Sequence, residues 1–385
     1  MPAQPHVIVL GLGIAGSSIA ATLAERGFRV TGIEQFSALH ERGSSHGDTR
    51  IFRRVPHEGD VYVHMAAASL EGWRAWSRLA EDRLFVECGG IDAGPEDSGM
   101  VEAAEQLCRR YDQPFEVLDG KGFNRRYPQF QLPADWRVVY QPSSGVVRPD
   151  ATRVFLHKHA NASGARLMHD VRVLGIEATP RGVMVQTAGD AIYGDFLVCS
   201  AGSWLPKLFP EVPFSFSSER RVLAWFEPDA ASLTGNANMP IFVLDAAGGW
   251  YGMPTPDGRV KIGHDKHLRQ QVDPDAMPIQ SNAEDARLLS RCVRDFLVGF
   301  REEPNEMKSC IYSLTEDHHF LIDRHPEHSN VLLFSCCSGH GFKYAPVYGE
   351  IAAGLIGGAA RMERRMNLEL FRLKRGDVTV TRFGD

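Results

Sequence analysis

The spacing of apolar positions predicts a strand, a helix and a second strand within the first 36 residues. Residues 7–10 read VIVL, a short apolar run that is typical of a strand buried on both faces. Residues of about 14–26 are predicted to form a helix, and residues 30–33 a second short strand. This order predicts a βαβ unit with parallel strands.

The same kind of pattern predicts elements along the rest of the chain. Strands are expected within 84–94, 165–202 and 216–265, and a buried strand, a glycine loop and an apolar helix within 330–358. Helices are expected at about 60–82, 100–111, 151–164 and 282–300, the last with Asn282 as its N-cap. Strands of the buried type near the start, middle and end predict a discontinuous nucleotide-binding domain into which a second domain is inserted. We place the first domain at 1–85, 142–215 and 305–385, and the second, catalytic domain at 86–141 and 216–304.

Three glycines and one acid make the first unit a dinucleotide-binding candidate. Gly11, Gly13 and Gly16 form GxGxxG, in which the glycines permit a tight turn, a close pyrophosphate and close helix packing. The helix that follows directs its N-terminal N–H groups at the phosphates. Glu34 ends the second strand, where a carboxylate accepts hydrogen bonds from an adenosine ribose. These residues do not separate NAD from FAD.

Composition and charge exclude several other classes of protein. A net charge of −6 over 385 residues offers no basic field for nucleic acid. The seven cysteines include no CxxC pair, and their spacing suits neither a zinc site nor a disulfide framework. The sequence shows no signal-peptide pattern and no apolar run of membrane-spanning length. We therefore expect a cytoplasmic protein that contacts neither membrane nor nucleic acid.

Three further segments carry a resemblance to a known family. They are GSSHGDTRIFR at 43–53, KSCIYSLTEDHHFLID at 308–323 and SGHGFKYAP at 338–346. Together they closely resemble the monomeric sarcosine oxidase and N-methyltryptophan oxidase family of flavoproteins, over nearly the whole chain. The resemblance implies an α/β fold, more narrowly a two-domain α+β arrangement. A glutathione-reductase-type FAD-binding Rossmann domain would carry an inserted catalytic domain built on an antiparallel sheet.

Taken alone, Cys310 has three readings that the local sequence leaves open. It could belong to a metal site with the neighbouring acids and histidines, be a buried thiol, or be a covalent attachment point. Adjacent His318 and His319 argue against a shared metal, because neighbouring side chains on a strand point to opposite faces. The resemblance implies that Cys310 holds FAD through a thioether to its 8α-methyl group.

The expected substrate is an amino acid, whose carboxylate needs cationic partners in a dry pocket. The resemblance gives that role to Arg53 and Lys343. It also places Tyr251 and Tyr312 around the amine, where their rings border an N-methyl group and their hydroxyls position the nitrogen.

The resemblance assigns further residues to the flavin ring and to oxygen. Lys261 would lie on the flavin face opposite the substrate, where a fixed ammonium stabilises the negative charge that O2 acquires. Arg50 would lie against the ring, on the same face as Arg53 if their segment is helical. Thr49, His46 and His340 would help to hold the ring, and either histidine could instead be structural.

The remaining cofactor contacts implied by the resemblance lie in the glycine loops and in the middle strands. A buried strand leads to Gly202, where the absence of a side chain permits close backbone approach. These remaining contacts are Ile14, Ala15, Ser44, Val173, Gly202, Trp204, Gly339, Gly341, Phe342 and Lys343.

Four departures from the family pattern leave the substrate open. Cys336 and Cys337 stand where glycine and an aromatic residue are usual, and Ser45 replaces one of a histidine pair. Asp265 replaces a histidine and adds a negative charge. Phe242 stands where the family often has methionine near the substrate, so we expect a narrower cavity.

The function expected from the resemblance is oxidation of an N-methyl or other secondary amino acid by a monomer. FAD would accept the electrons of the C–N bond, the imine would hydrolyse, and O2 would be reduced to H2O2. One alternative keeps the fold and oxidises fructosyl, cyclic or primary amino acids, or uses an electron acceptor other than O2. Another is a flavin-carrying subunit that acts only within a larger complex.

Overall fold

The computed structural model of the chain describes residues 4–213, 215–229, 238–277, 279–357 and 368–375. The helices are α1 (Ile14–Glu25), α2 (Asp60–Leu79), α3 (Gly99–Arg110), α4 (Gly120–Arg126), α5 (Pro149–Ala162), α6 (Leu205–Leu208), α7 (Ala283–Phe296) and α8 (Ala345–Ile356). The strands are β1 (His6–Leu10), β2 (Arg29–Ile33), β3 (Arg50–Phe52), β4 (Phe85–Glu87), β5 (Gly90–Gly94), β6 (Glu116–Asp119), β7 (Arg137–Gln141), β8 (Gly145–Val147), β9 (Arg166–Met168), β10 (Val173–Thr179), β11 (Gly182–Thr187), β12 (Ala191–Gly194), β13 (Phe196–Cys199), β14 (Phe216–Phe226), β15 (Ile241–Leu244), β16 (Trp250–Pro254), β17 (Val260–His264), β18 (Glu306–Thr315), β19 (Leu321–Arg324) and β20 (Val331–Ser335).

A six-stranded sheet forms the nucleotide-binding half of the fold, in the order β19-β20-β13-β1-β2-β9. All its pairs are parallel except β19 with β20. Strand β1 is buried along its whole length, as its unbroken apolar run predicts. The carboxyl end of β1 therefore delivers the glycine loop to the edge of the sheet where ligands bind in open parallel sheets.

Helices α1, α5 and α8 pack together beside this sheet. Residues of α1, α2 and α8 share one apolar core with β1 and β20. Gly349 of α8 lets the helices approach closely, since a β-carbon there would lie 2.2 Å from Thr22 Oγ1 of α1. The N-terminus of α1 is held by this packing at the glycine loop.

An eight-stranded sheet forms the second half, in the order β18-β14-β17-β16-β15-β5-β7-β6. Its pairs are antiparallel except β5 with β15. Helix α7 packs against β14 and β17, and its apolar residues join a core with those strands. Two smaller antiparallel sheets complete the described fold, β10-β11-β12 and β3-β8-β4.

The predicted mixed α/β fold is confirmed, and the division into two domains stays a prediction. Strand β18 lies within the segment 305–385 that we gave to the nucleotide-binding domain, yet it pairs with β14 along ten residues of the eight-stranded sheet. A boundary after β18 fits that pairing better than one before it.

Candidate active site

One continuous cavity of about 440 Å³ runs from the glycine loop to the eight-stranded sheet. Glu34 lines one end of it, and Tyr251 and Tyr312 line the other. All of the site residues expected from the sequence line this cavity except Gly16, His46 and Thr49. The fold therefore brings widely separated segments to one place, while the roles of the individual residues stay predictions.

The glycine loop is built from contacts that only glycine permits. Gly11 has φ +86°, and a β-carbon on it would lie 2.8 Å from the carbonyl oxygen of Ser200. A β-carbon on Gly16 would lie 1.8 Å from the carbonyl oxygen of Gly11, so Gly16 shapes the turn without lining the cavity. Ser45 Oγ accepts a hydrogen bond of 3.0 Å from the Ile14 N–H at the start of α1.

Glu34 closes the far end of the cavity as a buried carboxylate. It accepts hydrogen bonds from the backbone N–H groups of Leu12 at 2.9 Å and Phe36 at 3.1 Å. His40 Nε2 lies 3.6 Å from its Oε1. Burial opposes ionisation, but His40 and the two N–H donors together lower the pKa of Glu34. The carboxylate is thus ionised and able to accept further donors.

Arg153 is a cavity residue that the sequence reasoning missed. It lies on α5 with 1% of its surface exposed, and it lines the cavity beside the glycine loop. Its Nε and Nη1 have no hydrogen-bond partner in the described part of the chain. A buried guanidinium with unused donors is suited to an anion. Only its place in the first turns of a predicted helix could have drawn attention to it.

Lys261 and Arg50 form a pair of cations where the two halves of the fold meet. Lys261 of β17 is fully buried and donates to the Thr49 carbonyl at 2.8 Å and to Asp48 Oδ1 at 3.2 Å. Burial first, and then the charge of Arg50, lower the pKa of Lys261 to about 7, while Asp48 opposes the shift. Arg50 donates to the carbonyls of Thr49 at 2.9 Å and Ser44 at 3.1 Å.

Arg50 and Arg53 were expected to share a face only if their segment is helical, and the structure does not meet that condition. Arg50 begins strand β3 and Arg53 follows its last residue. Residues three apart on a strand point to opposite faces. Arg50 accordingly reaches Ser44 and the neighbourhood of Lys261, whereas Arg53 reaches Glu58 and Asp92.

His46 is buried close to the cavity without lining it. Neither ring nitrogen has a hydrogen-bond partner among the residues described. Burial first, and then the charges of Arg50 and Lys261, lower its pKa to about 2, so the ring is neutral. Its role in holding the flavin ring stays a prediction, because the ring does not line the cavity.

Cys310, Tyr312 and Tyr251 form a small wall of the cavity. Cys310 and Tyr312 alternate on β18 and so face the same side. The two tyrosine hydroxyls share a hydrogen bond of 2.9 Å. Burial raises the pKa of both phenols and of the Cys310 thiol, so all three groups are protonated at neutral pH.

The two cations expected to bind a substrate carboxylate already have acidic partners. Arg53 Nη2 donates to Glu58 Oε1 at 2.9 Å, and Arg53 Nη1 donates to Asp92 Oδ1 at 2.8 Å. Lys343 Nζ donates to the same Glu58 oxygen at 3.2 Å. Burial lowers the pKa of Lys343 to about 8, although Glu58 opposes the shift.

Of the residues that depart from the family pattern, Asp265 lines the cavity and Phe242 does not. Asp265 lines the cavity, as its alignment with a family histidine suggests. The expectation that Phe242 narrows the cavity is wrong, because its ring packs over Gly252 and against Phe130 in the core. Its neighbour Val243 lines the cavity instead, since adjacent strand residues face opposite ways.

The chain matches known proteins over most of its length. The family described as DAO, FAD dependent oxidoreductase, matches residues 6–355. Monomeric sarcosine oxidase of Streptomyces avermitilis is 34% identical over 91% of this chain and 92% of its own. N-methyl-L-tryptophan oxidase of Yersinia pestis is 30% identical over 90% of this chain and 93% of its own. The chain therefore belongs to the family of FAD-dependent oxidoreductases.

Solved structures agree on the fold. NikD, described as an unusual amino acid oxidase essential for nikkomycin biosynthesis, superposes with a TM-score of 0.83 at 21% identity, covering 98% of this chain and all of its own. Glycine oxidase from Geobacillus kaustophilus gives 0.81 at 18% identity, covering 97% of this chain and all of its own. At such identities these structures establish the architecture alone.

FAD fits the residues of the cavity. The glycine loop leaves no room for side chains where a pyrophosphate would approach, and Arg153 has unused donors beside it. Arg50 and Lys261 also line the cavity, and they supply positive charge for an electron-rich ring. No helix within the described ranges is long and apolar enough to cross a bilayer.

Proposed function

We propose that the protein is an FAD-dependent oxidase of N-methyl or other secondary amino acids. The C–N bond would be oxidised to an imine that hydrolyses, and O2 would be reduced to H2O2. The observation that supports this most is a single cavity that joins the glycine loop to Lys261, Cys310 and the tyrosine pair. FAD, when bound, supplies the acceptor for the two electrons that leave the amine.

The tyrosine pair would position the amine without removing its proton. In the pair, one hydroxyl donates to the other, which leaves the second O–H for a ligand. Because burial raises the pKa of both phenols, neither is a base at neutral pH. The substrate therefore reacts as the neutral amine, and no residue is assigned as general base.

Lys261 would act on oxygen. Its ammonium is fixed by the Thr49 carbonyl and Asp48 before any charge appears on O2. A cation that is already oriented stabilises the new negative charge without reorganisation. Trp225 also fixes the lysine, with its ring centroid 4.8 Å from Nζ.

A panel of amines tests the proposal. The flavin-loaded protein is supplied with N-methyl amino acids and, as controls, the matching primary amino acids, and H2O2 release is recorded. We expect peroxide with at least one N-methyl amino acid and little with its primary counterpart. A yellow protein that is inactive on every secondary amine would contradict the proposal, and turnover only with artificial acceptors would indicate a dehydrogenase.

We also propose that Cys310 carries the flavin as a thioether. Cys310 would lose its thiol hydrogen and the 8α-methyl group one hydrogen when the C–S bond formed, and O2 would take up both hydrogens and their electrons as H2O2. The position supports this, because Cys310 lines the cavity next to Tyr312.

The denatured mass of the protein tests the linkage directly. We expect the wild-type chain to exceed its polypeptide mass by that of FAD less two hydrogens, and Cys310→Ala to lose the increment. Cys337→Ala is the matched control, because Cys337 also lines the cavity and should leave the linkage intact. An unmodified wild-type mass would remove the tether and leave bound FAD in place.

We also propose that the protein is a monomer. The relatives named monomeric sarcosine oxidase support a monomer. Size-exclusion chromatography of the active, flavin-loaded protein tests it, and an inert chain that gains activity with a partner would favour the subunit alternative. A cytoplasmic location and the absence of nucleic-acid binding stay predictions.

A further inference from the structure

The Arg53 side chain is held by the protein's own acids and by a histidine. Glu58 Oε1 and Asp92 Oδ1 accept from its two terminal nitrogens, as described above. His57 Nδ1 lies 2.6 Å from Nη1. All four side chains are buried, with 8% exposure or less. Arg53 is thus anchored on both edges of its guanidinium.

Asp92 is itself fixed by a second layer of contacts. It lies on β5 with 1% exposure, and its Oδ2 accepts a 3.0 Å hydrogen bond from Gln141 Nε2. Gln141 in turn bonds both backbone groups of Val55, at 2.8 Å and 3.0 Å. Asp92 does not line the cavity, and its direct contacts with cavity residues are those to Arg53 and His57.

The charges at this end of the cavity cancel. Arg53 and Lys343 supply two positive charges, and Glu58 and Asp92 supply two negative ones. Glu58 lines the cavity, and its Oε2 is buried without a hydrogen-bond partner among the described residues. A neutral pocket that offers a free carboxylate oxygen favours a hydrogen-bond donor over a second anion.

We propose that Asp92 is a specificity-determining residue. It keeps Arg53 paired with the protein's own acids, so that this part of the cavity binds an uncharged carboxamide as readily as a carboxylate. This inference rests on the proposed function and widens its substrate class to secondary amines whose tail is either a carboxylate or a neutral carboxamide. The carboxamide N–H would donate to Glu58 Oε2, and its carbonyl oxygen would accept from Lys343.

Binding of two small ligands that cannot be oxidised provides the test. Propionate and propionamide lack an amine, so their dissociation constants are measured from changes in the visible spectrum of the flavin-loaded protein. We expect comparable affinities in the wild type. In Asp92→Asn, which keeps the shape and the Gln141 contact, the pocket gains a net positive charge. Propionate should then bind about tenfold more tightly, with propionamide little changed.

Asp257→Asn is the matched control. Asp257 also pairs with an arginine, Arg259, near the same sheet, but half of its side chain is exposed and it does not line the cavity. This variant should keep the wild-type ratio of the two affinities.

Clear outcomes would overturn the inference. The inference would be overturned if the wild-type protein bound propionate far more tightly than propionamide. This result does not depend on whether Asp92→Asn folds. An Asp92→Asn variant with the wild-type ratio would also overturn it, as would the absence of binding by either ligand. Because the readout needs no turnover, a protein that bound both ligands equally yet oxidised no amine would contradict the proposed function and leave this inference standing.

Turnover gives a second readout. The kcat/KM values for N-methylglycine and N-methylglycinamide differ partly because the two amines differ in pKa. That difference cancels when the acid-to-amide ratio of kcat/KM in the variant is divided by the ratio in the wild type. Asp92→Asn should raise the acid-to-amide ratio of kcat/KM by about tenfold, in step with the binding result.

Discussion

At the scale of single residues, Lys261 is a group whose chemistry depends strongly on its surroundings. Its place in GRVKIGHD and its role follow from the resemblance, and its burial is consistent with that role. Its lowered pKa does not follow from the sequence, because it arises from burial and from Arg50, which lies far away along the chain. The acid-base behaviour of the site is a property of the fold.

The pKa of about 7 predicts a pH dependence for the reaction with oxygen. The ammonium is present below this value and is lost as the pH rises through it. Reoxidation of the reduced protein by O2, followed by stopped flow, should therefore slow above neutral pH.

Replacement of this lysine tests the same point. Lys261→Met should slow reoxidation by about 10²–10³-fold at pH 6 and remove the pH dependence. Lys308→Met is the control, because Lys308 lies on β18 of the same sheet, pairs with Glu41 at the surface and does not line the cavity. Unchanged reoxidation in Lys261→Met would show that oxygen reacts elsewhere.

Other residue-level features could not be predicted from the sequence. The pairing of Arg53 with Asp92 depends on where β5 lies relative to β3, which periodicity does not reveal. Phe242 was misassigned because a shift of one position along a strand reverses the face of a side chain. The motifs indicated which cations would lie at the site. The acidic side chains that pair with them could be identified only from the folded structure.

At the scale of elements, predictions succeeded where periodicity was long or caps were distinct. The first βαβ unit and α7 lie within a few residues of the predicted bounds. Asn282 caps α7 as predicted, and Asp285 completes a capping box with it. The short strand β3 was not predicted, because three residues carry too little pattern to indicate a strand.

Asp285 links α7 to the eight-stranded sheet and gives a stability prediction. It pairs with Arg220 of β14 at 2.7 Å and with His267 at 2.7 Å, in full burial. Asp285→Asn leaves Arg220 with a weaker partner, so the free energy of unfolding should fall by about 3 kcal/mol. Asp295→Asn, at an exposed position of α7, should change it little. Chemical denaturation measures both.

Asp285 also determines the direction in which the free energy of unfolding changes with pH. Burial opposes ionisation, but hydrogen bonds from Arg220 and His267 lower the pKa of Asp285 to about 2. The stabilisation is therefore complete above the unfolded pKa of about 4 and is lost as the pH falls towards 2. The stability difference between wild type and Asp285→Asn should shrink over that window, and a constant difference would contradict the assignment.

At the scale of the whole molecule, the cavity exists only because distant segments meet. The glycine loop follows β1, Lys261 lies on β17, Cys310 on β18 and Lys343 precedes α8. Hydrophobic patterning predicted the parallel βαβ unit and the other strands, and the resemblance implied the antiparallel sheet, but patterning gave no information on how the two sheets would face each other. The resemblance supplied that arrangement, and the domain boundaries remain open at β18.

The measurement that tests the central claim most directly is an anaerobic mixing experiment. The purified flavin-loaded protein is mixed with an N-methyl amino acid in the absence of oxygen, and the visible flavin absorbance is followed before air is admitted. We predict that the yellow colour bleaches, returns on admission of air and is accompanied by one H2O2 per flavin. A protein that stays yellow with every secondary amine, acid or amide, would contradict the account.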